Sequence, residues 1–134
     1  MSIHESGQMY LETIYILSQN KSYVRAIDVG EHLGYSKPSV SRAMSILKKN
    51  GYVLVDADGA ITLTESGMEI AQTMYTRHTV LSEMLMRLGV DEKTATEDAC
   101  RIEHVISEES FLAVKKHLEW SISQCMEGQQ DSVE

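Results

Sequence analysis

A pair of short helical segments with a tight turn between them constrains the fold of this chain more than any other feature. The first segment covers Ala26–Leu33 and ends at Gly34, a residue that tolerates left-handed backbone geometry beyond a helix end. Ser36 is a typical helix N-cap, and Pro38 is accepted in a first helical turn because the N–H it lacks needs no partner there. The second helix is predicted to stop at Asn50. Two short helices joined in this way are typical of a helix-turn-helix.

The residues that follow this pair have the pattern of a β-hairpin. Residues 52–55 and 60–63 are β-prone, and Asp58-Gly59 between them is a strong turn signal. A hairpin directly after the second helix of the pair is typical of a winged helix-turn-helix. We therefore expect a winged helix-turn-helix DNA-binding domain over residues 1–70.

Helical periodicity extends over most of the remaining chain. It predicts one helix before the pair, over residues 8–18, and three helices after the hairpin, over residues 64–88, 91–106 and 108–120. The first helix after the hairpin carries more apolar side chains than a winged domain needs, namely Val80, Leu81, Met84, Leu85 and Leu88. Surplus apolar surface of this kind favours self-association, and we expect a homodimer formed through the fourth and fifth helices.

The predicted fold class is mainly α, with the winged helix-turn-helix domain followed by an all-helical dimerisation domain over residues 71–122. The polar residues 123–134 are expected to form a disordered tail.

The composition excludes several classes of protein. The uninterrupted apolar runs are only a few residues long, so no membrane span and no membrane partner are expected. The first residues lack the basic region and apolar stretch of a secretory signal. Two cysteines far apart in the sequence favour a reducing compartment, and we expect a cytoplasmic protein.

The net charge of −8 is unevenly distributed along the chain. Residues 21–55 hold six basic and two acidic residues, a net charge of +4, and this region coincides with the predicted helix-turn-helix. Residues 56–134 hold sixteen acidic and six basic residues, a net charge of −10. Because attraction to phosphates depends on the local face and not on the total charge, double-stranded DNA remains the expected partner.

The second helix of the pair offers small polar and basic side chains near its N-terminus, the end that faces the major groove in helix-turn-helix docking. These candidate DNA-binding residues are Ser36, Lys37, Pro38, Ser39, Ser41 and Arg42. Arg42 can pair with guanine or bind a phosphate, whereas Lys48, farther along, is expected to contact the DNA backbone. In the alternative interpretation, Ser36 only caps the helix and the lysines only solvate a surface. The combination of cap, proline, serines, arginine and wing favours DNA binding.

Later in the chain, three side chains have the spacing of a metal site. On a helix, offsets of three and four residues place Cys100, Glu103 and His104 on one face. A thiolate, a carboxylate and an imidazole are competent ligands for a divalent transition metal. Three residues on one helix rarely complete such a site. The further candidates are His78, in the helix over 64–88, and the pair Met9 and Glu12, one turn apart on the first helix.

These residues are also compatible with other functions. Cys100 and His104 can form an ion pair of the kind found in thiol enzymes, but no oxyanion-hole loop or orienting motif accompanies them. We therefore expect neither an enzyme nor a small organic substrate. A winged-helix regulator that senses redox state through Cys100 remains an alternative. A third possibility is a protein-interaction module that uses the winged fold only as a scaffold.

Five stretches of the chain are similar to one known family: residues 9–15 (MYLETIY), 39–41 (SVS), 63–67 (LTESG), 77–78 (RH) and 97–107 (EDACRIEHVIS). They closely resemble the diphtheria toxin repressor family, which includes the manganese transport regulators. The resemblance covers roughly residues 5–120, and residues 100–107 are its most specific part. It implies a homodimeric transcriptional repressor in which Fe(II) or Mn(II) binds at the junction of the two domains and favours binding to a palindromic operator. It also implies the short form of the family, without an SH3-like third domain.

Compared with the family, the ligand set of this chain is mixed. The effector site of the iron-type members is matched by Met9, Cys100, Glu103 and His104. The manganese-type pattern, in which a second ion binds close to the first, is matched by Glu12 and His78. Ser82 and Thr96 stand where the separate ancillary site of the iron type has a Glu and a His.

The donor types indicate which metal the site prefers. In the manganese type, Asp and Glu replace Met9 and Cys100, whereas the thioether and thiolate here fit Fe(II) better than Mn(II). We expect one soft-ligand site near Met9, Cys100, Glu103 and His104. One or two ions per subunit are compatible with the ligand set, because Glu12, His78 and a shared Glu103 offer a second site. Zn(II), Co(II) and Ni(II) are expected to substitute in vitro.

Overall fold

The computed structural model describes residues 4–131 of the chain, with side chains described to residue 126. Its elements are, in order, α1 Glu5–Ser18, α2 Ala26–Leu33, α3 Lys37–Lys49, β1 Val53–Val55, β2 Ile61–Leu63, α4 Glu65–Arg87, α5 Glu92–Ile102 and α6 Glu108–Asp131. The chain divides into two compact units, Met1–Tyr75 and Thr76–Glu134. The predicted domain boundary at residue 70 lies within α4, slightly before this division.

The first unit is a winged helix-turn-helix, as the sequence predicts. Helices α1, α2 and α3 pack on one another around a core that includes the fully buried Leu11, Val29 and Val40. Gly34 ends α2 with a φ of 72°, so the turn between α2 and α3 uses the left-handed geometry that glycine allows. The mainly helical fold class is confirmed.

Strands β1 and β2 form the wing, an antiparallel pair in which Leu54 lies opposite Thr62. The turn between them is held by Asp56, whose Oδ1 accepts hydrogen bonds of 2.9 Å from the backbone N–H groups of Asp58 and Ala60. The backbone N–H of Ile61 also donates to the carbonyl of Val24, at 2.7 Å, which attaches the wing to the segment before α2.

A close backbone approach joins the wing to the start of α4. A Cβ on Gly67 would lie 2.1 Å from the carbonyl oxygen of Tyr52, so this position accepts glycine only. Thr64 supports the junction, because its Oγ1 donates to the carbonyl of Gly51 at 2.7 Å and accepts from the N–H of Gly67 at 3.2 Å.

The start of α1 and the end of α5 differ from the sequence-based expectation. Helix α1 begins at Glu5 rather than at residue 8. Helix α5 ends at Ile102 rather than at Ile106, because the chain turns there towards a new helix that the Ser107 side chain caps. Helix α6 begins at Glu108, as predicted.

Helix α6 continues past the predicted end at Trp120 to Asp131. Residues 121–127 contain neither Gly nor Pro and include Gln, Met and Glu, which are good helix formers. Residues 123–131 are therefore helical rather than a disordered tail, and residues 132–134 lie outside the described part of the chain. Among the described residues, no helix combines the length and hydropathy needed to cross a membrane.

Candidate nucleic-acid interface and metal centre

Helix α3 separates the residues that hold the fold from those that the sequence assigns to DNA. Its buried face consists of Val40, Met44 and Leu47. All the candidate DNA-binding side chains are exposed: Ser36, Lys37, Pro38, Ser39, Ser41, Arg42 and Lys48. The helical periodicity of the apolar residues therefore leaves a continuous polar and basic face open to a partner.

The side chain of Ser36 caps the start of α3. Ser36 accepts a hydrogen bond of 3.4 Å from the backbone N–H of Ser39, and its hydroxyl lies 2.9 Å from the Ser39 hydroxyl. Ser36 is thus a structural N-cap as well as a candidate contact, and its side chain positions the end of the helix that carries Lys37 and Ser39.

Two basic residues outside α3 are engaged within the protein. Lys21 forms an ion pair of 2.6 Å with Asp28, which holds the pKa of that carboxyl below its usual range. The Asp28 carboxylate also accepts from the backbone N–H of Arg25, at the start of α2. Arg25 in turn donates from Nε to the carbonyl of Asp58 in the wing turn, at 3.2 Å. These contacts fix the wing beside the helix-turn-helix.

In the second unit, His78, Cys100 and Glu103 form a cluster that we call the α4–α5 centre. One ligand atom from each of the three lies within 4.8 Å of those of the other two. The Nδ1 atom of His78 is 3.1 Å from Oε2 of Glu103 and 3.7 Å from Sγ of Cys100. Imidazole, thiolate and carboxylate donors at this separation fit a divalent transition metal.

Glu103 lies between two histidines, and its side chain is fully buried. Its Oε2 faces His78, and its Oε1 lies 3.2 Å from Nε2 of His104, a side chain that is only 7% exposed. Both imidazoles therefore face one carboxylate from opposite oxygens. A buried carboxylate needs positive charge beside it, which a metal ion or a protonated histidine supplies.

The electrostatics of His78 follow from its neighbours. The hydrogen bond to Cys100 and then the hydrogen bond to Glu103 raise the pKa of His78 to about 10, and burial opposes them. The protonated form of His78 is therefore favoured beside Glu103 at neutral pH.

Met9 and Glu12 lie on α1 in the first unit, one turn apart as predicted. Met9 is half-buried, and its sulfur accepts a hydrogen bond of 3.9 Å from the hydroxyl of Tyr35, in the turn before α3. Glu12 is buried although its side chain is ionisable. The thioether and the buried carboxylate are both groups that a soft or borderline metal ion accepts.

Arg77 belongs to one of the stretches that resemble the family, but the sequence alone indicates no function for it. Its guanidinium donates from Nη1 to the carbonyls of Glu103 and Ile106, at 3.2 and 2.9 Å, and from Nη2 to the carboxylate of Glu108, at 2.9 Å. Its Cζ lies 5.4 Å from the ring centroid of Phe111. These partners are 26 to 34 residues away in the sequence, so helical spacing alone could not have revealed them.

Ser82 is used within its own helix. Its hydroxyl donates to the carbonyl of His78 at 2.8 Å. Thr96 lies on α5, and its side chain is exposed.

Comparisons with known proteins identify both parts of the chain. Residues 2–61 match the N-terminal DNA-binding domain of the iron-dependent repressors, and residues 64–131 match their metal-binding and dimerisation domain. The helix-turn-helix transcriptional regulator MntR of Lysinibacillus sphaericus is 34% identical over 102 residues, which are 76% of this chain and 73% of that protein. An uncharacterized helix-turn-helix transcriptional regulator of Methanocaldococcus jannaschii is 33% identical over 117 residues, 86% of this chain and 94% of that protein.

Solved structures give the same result. The manganese regulator SloR has a TM-score of 0.77 at 26% identity and matches 90% of this chain. A manganese-dependent transcriptional repressor in complex with manganese has a TM-score of 0.76 at 28% identity and matches 84%. This chain spans only about half the length of those two proteins, 55% and 52%. The chain belongs to the iron-dependent repressor family, which comprises the diphtheria toxin repressor and MntR groups and consists of metal-dependent transcriptional repressors rather than enzymes.

Proposed function

We propose that this protein binds palindromic operator DNA as a homodimer and represses transcription in the cytoplasm when Fe(II) or Mn(II) is bound. The observation that carries the proposal is the α4–α5 centre, in which His78, Cys100 and Glu103 converge within 4.8 Å. Residues 1–70 would bind DNA, and residues 71–122 would bind metal and form the dimer.

The ligand assignment follows from donor chemistry. Cys100 and His78 would supply the soft and borderline donors, and Glu103 would supply charge from within the protein. Because one imidazole faces each oxygen of Glu103, its carboxylate is suited to be shared by two ions, with His104 on the second side. Met9 and Glu12 complete the proposed ligand set on the strength of the family resemblance and of their donor types. The bound ion supplies positive charge beside the buried carboxylate.

The proposed DNA contacts lie on α3. Arg42 would read a base or bind a phosphate, and Lys48 would bind the backbone. The net charge of −10 in residues 56–134 opposes approach to DNA, so a bound cation also reduces the electrostatic cost of binding.

The proposal is tested with metal-free, reduced protein under anaerobic conditions. A palindromic fragment is first selected from a random library in the presence of Fe(II), and binding to that selected fragment is then measured with and without Fe(II), Mn(II), Zn(II), Co(II) and Ni(II). We expect tight binding only with metal. Binding that is equally tight after chelation would contradict the proposal.

One observation favours a second candidate, a regulator that senses oxidation. Cys100 is exposed and lies beside His78, a setting in which a thiol can react with an oxidant. In that case, oxidant would change DNA binding in protein that holds no metal. The same assay, run on metal-free protein with and without peroxide, separates the two candidates.

A further inference from the structure

We infer that Arg77 is a positioning residue of the metal centre, although it is not itself a ligand. Its side chain holds the turn that carries Glu103 and His104. The inference rests on the proposed function, since it assumes that this centre binds metal.

The contacts of Arg77 converge on one short segment. After α5 ends at Ile102, the chain makes a turn over residues 103–106 before α6 begins. Arg77 binds the carbonyl of the first residue of this turn, Glu103, and that of the last, Ile106. Its other nitrogen binds Glu108 in the first turn of α6, so a single guanidinium ties the end of α5 to the start of α6.

The geometry explains why a guanidinium suits this position. The Glu103 carbonyl lies at the C-cap of α5, where the last carbonyls of a helix lack partners within the helix and where a cation interacts favourably with the helix dipole. The planar guanidinium donates from several N–H groups at fixed angles and so reaches several acceptors at once, whereas the donors of a lysine ammonium all lie on one nitrogen. The Arg77 side chain is only 11% exposed and lies over the ring of Phe111, so its orientation is determined by packing as well as by hydrogen bonds.

The consequence for the metal centre follows from the position of Glu103. Its carboxylate is fully buried and faces one imidazole with each oxygen, so a small backbone rotation would turn it away from His78, His104 or both. His78 is adjacent to Arg77 on α4, so the arginine also links the helix that carries one ligand to the turn that carries two others. Groups that orient metal ligands in this way typically change metal affinity by roughly 10- to 100-fold when they are removed.

The inference is tested by Co(II) titration of the metal-free, reduced protein, followed by absorption spectroscopy. Thiolate-to-Co(II) charge transfer reports the bond to Cys100, and the ligand-field bands report the coordination geometry. The variants are Arg77→Met, Arg77→Lys and the matched control Arg87→Met. Arg87 lies on the same helix but is exposed, and it pairs with Glu83 one turn away.

We expect Arg77→Met to bind Co(II) roughly 10- to 100-fold more weakly than the parent, with changed ligand-field bands, whereas Arg87→Met should match the parent. Arg77→Lys keeps the charge but cannot span both carbonyls and Glu108, so it should also bind more weakly. If Arg77→Met does not fold, the lysine variant decides the question.

Two results would overturn the inference. A folded Arg77 variant with the parent's Co(II) affinity and spectrum, even at a lower unfolding temperature, would show that Arg77 serves stability alone. A parent protein without thiolate-to-Co(II) charge transfer would contradict the proposed metal centre itself, and the inference with it. The two failures are distinguished because only the second is seen in the parent.

Discussion

The carboxylate of Glu103 is fully buried and has an imidazole beside each oxygen, at 3.1 and 3.2 Å. An uncompensated buried charge is costly, so the site requires a cation in every state. In the metal-free protein a proton on His78 meets this requirement, because its pKa is raised to about 10. Metal ion and proton therefore compete for the same place.

This competition predicts a pH dependence. Below about pH 10 a metal ion must displace the proton of His78, so affinity for Co(II) should increase as the pH rises from 7 to 9. At pH 7, metal binding by the parent should release about one proton more than binding by His78→Gln, as measured by calorimetry in buffers of different ionisation enthalpy. His117→Gln, an exposed histidine on α6, is the control and should release as many protons as the parent.

The same raised pKa of His78 makes the metal-free fold less stable at high pH. The stability that the proton on His78 provides is fully present below about pH 6.5 and is lost as the pH rises through about 10.

In the calorimetric experiment, equal proton release by the parent and by His78→Gln would show that His78 is not protonated in the metal-free state.

The soft donors predict a metal preference. The parent should be activated for operator binding at a lower concentration of Fe(II) than of Mn(II), because thioether and thiolate favour the softer ion. Met9→Asp combined with Cys100→Glu supplies carboxylates instead and should shift the response towards Mn(II). Cys125→Glu, on the exposed surface of α6, is the control. Equal midpoints for both metals in the parent, unchanged in the double variant, would rule out these side chains as the source of selectivity.

The candidate ligands were predictable from the sequence to different degrees. The spacing of Cys100 and Glu103 predicts their proximity correctly, although α5 ends at Ile102, because the helical φ and ψ continue through Glu103. His78 has no local relation to them; the sequence offers it only as a candidate on another helix, and the family resemblance supports that choice. Arg77 received no function because its acceptors are backbone carbonyls in another part of the chain, which no side-chain pattern records.

Helix α3 is the element that was predicted best, because its cap, its proline and its apolar periodicity are all local signals. Helix α6 was predicted least well. Residues 123–134 were interpreted as a disordered tail, yet residues 123–131 are compatible with a helix and continue it. A segment without an apolar face is not expected to pack on a core, but it can still be helical.

The exposed face of α3 leads to a prediction about DNA. Arg42→Ala should cost roughly 1–3 kcal/mol of affinity for the selected fragment if Arg42 reads a base, with little change on unrelated DNA. Lys48→Ala should weaken binding to all sequences and reduce the salt dependence by about one phosphate contact. Fluorescence anisotropy over a range of salt concentrations measures both. Lys93→Ala, exposed on α5, is the control, and parent-like binding by both α3 variants would contradict the assignment.

For the chain as a whole, exposed apolar side chains of the second unit indicate where two copies would meet. Val80, Met84 and Leu85, which the sequence assigned to the dimer, are half-buried within the single chain, and Leu81 is buried. Leu88 remains 73% exposed, and apolar side chains on α6 are exposed as well, among them Leu112 and Trp120. The matched family domain is a dimerisation domain, and this surface is where we propose that it pairs.

A dimer of this kind is predicted at micromolar concentration. Leu88→Glu places a charge in the proposed interface and should shift the protein towards monomer in sedimentation experiments. Leu54→Glu introduces the same charge at an exposed position of β1, in the first unit, and should remain dimeric. A parent that is monomeric with and without metal would contradict the dimer. A Leu88→Glu variant that remains dimeric would place the interface elsewhere.

The central claim is that metal bound at Cys100, His78 and Glu103 controls operator binding, and paired cysteine variants test it most directly. Binding to the selected fragment is titrated with Fe(II) under anaerobic, reducing conditions for the parent, for Cys100→Ala and for Cys125→Ala, the other exposed cysteine. The parent and Cys125→Ala should bind DNA roughly 5- to 150-fold more tightly with Fe(II) than without it, whereas Cys100→Ala should remain folded and lose this response. A full Fe(II) response in Cys100→Ala would contradict the account.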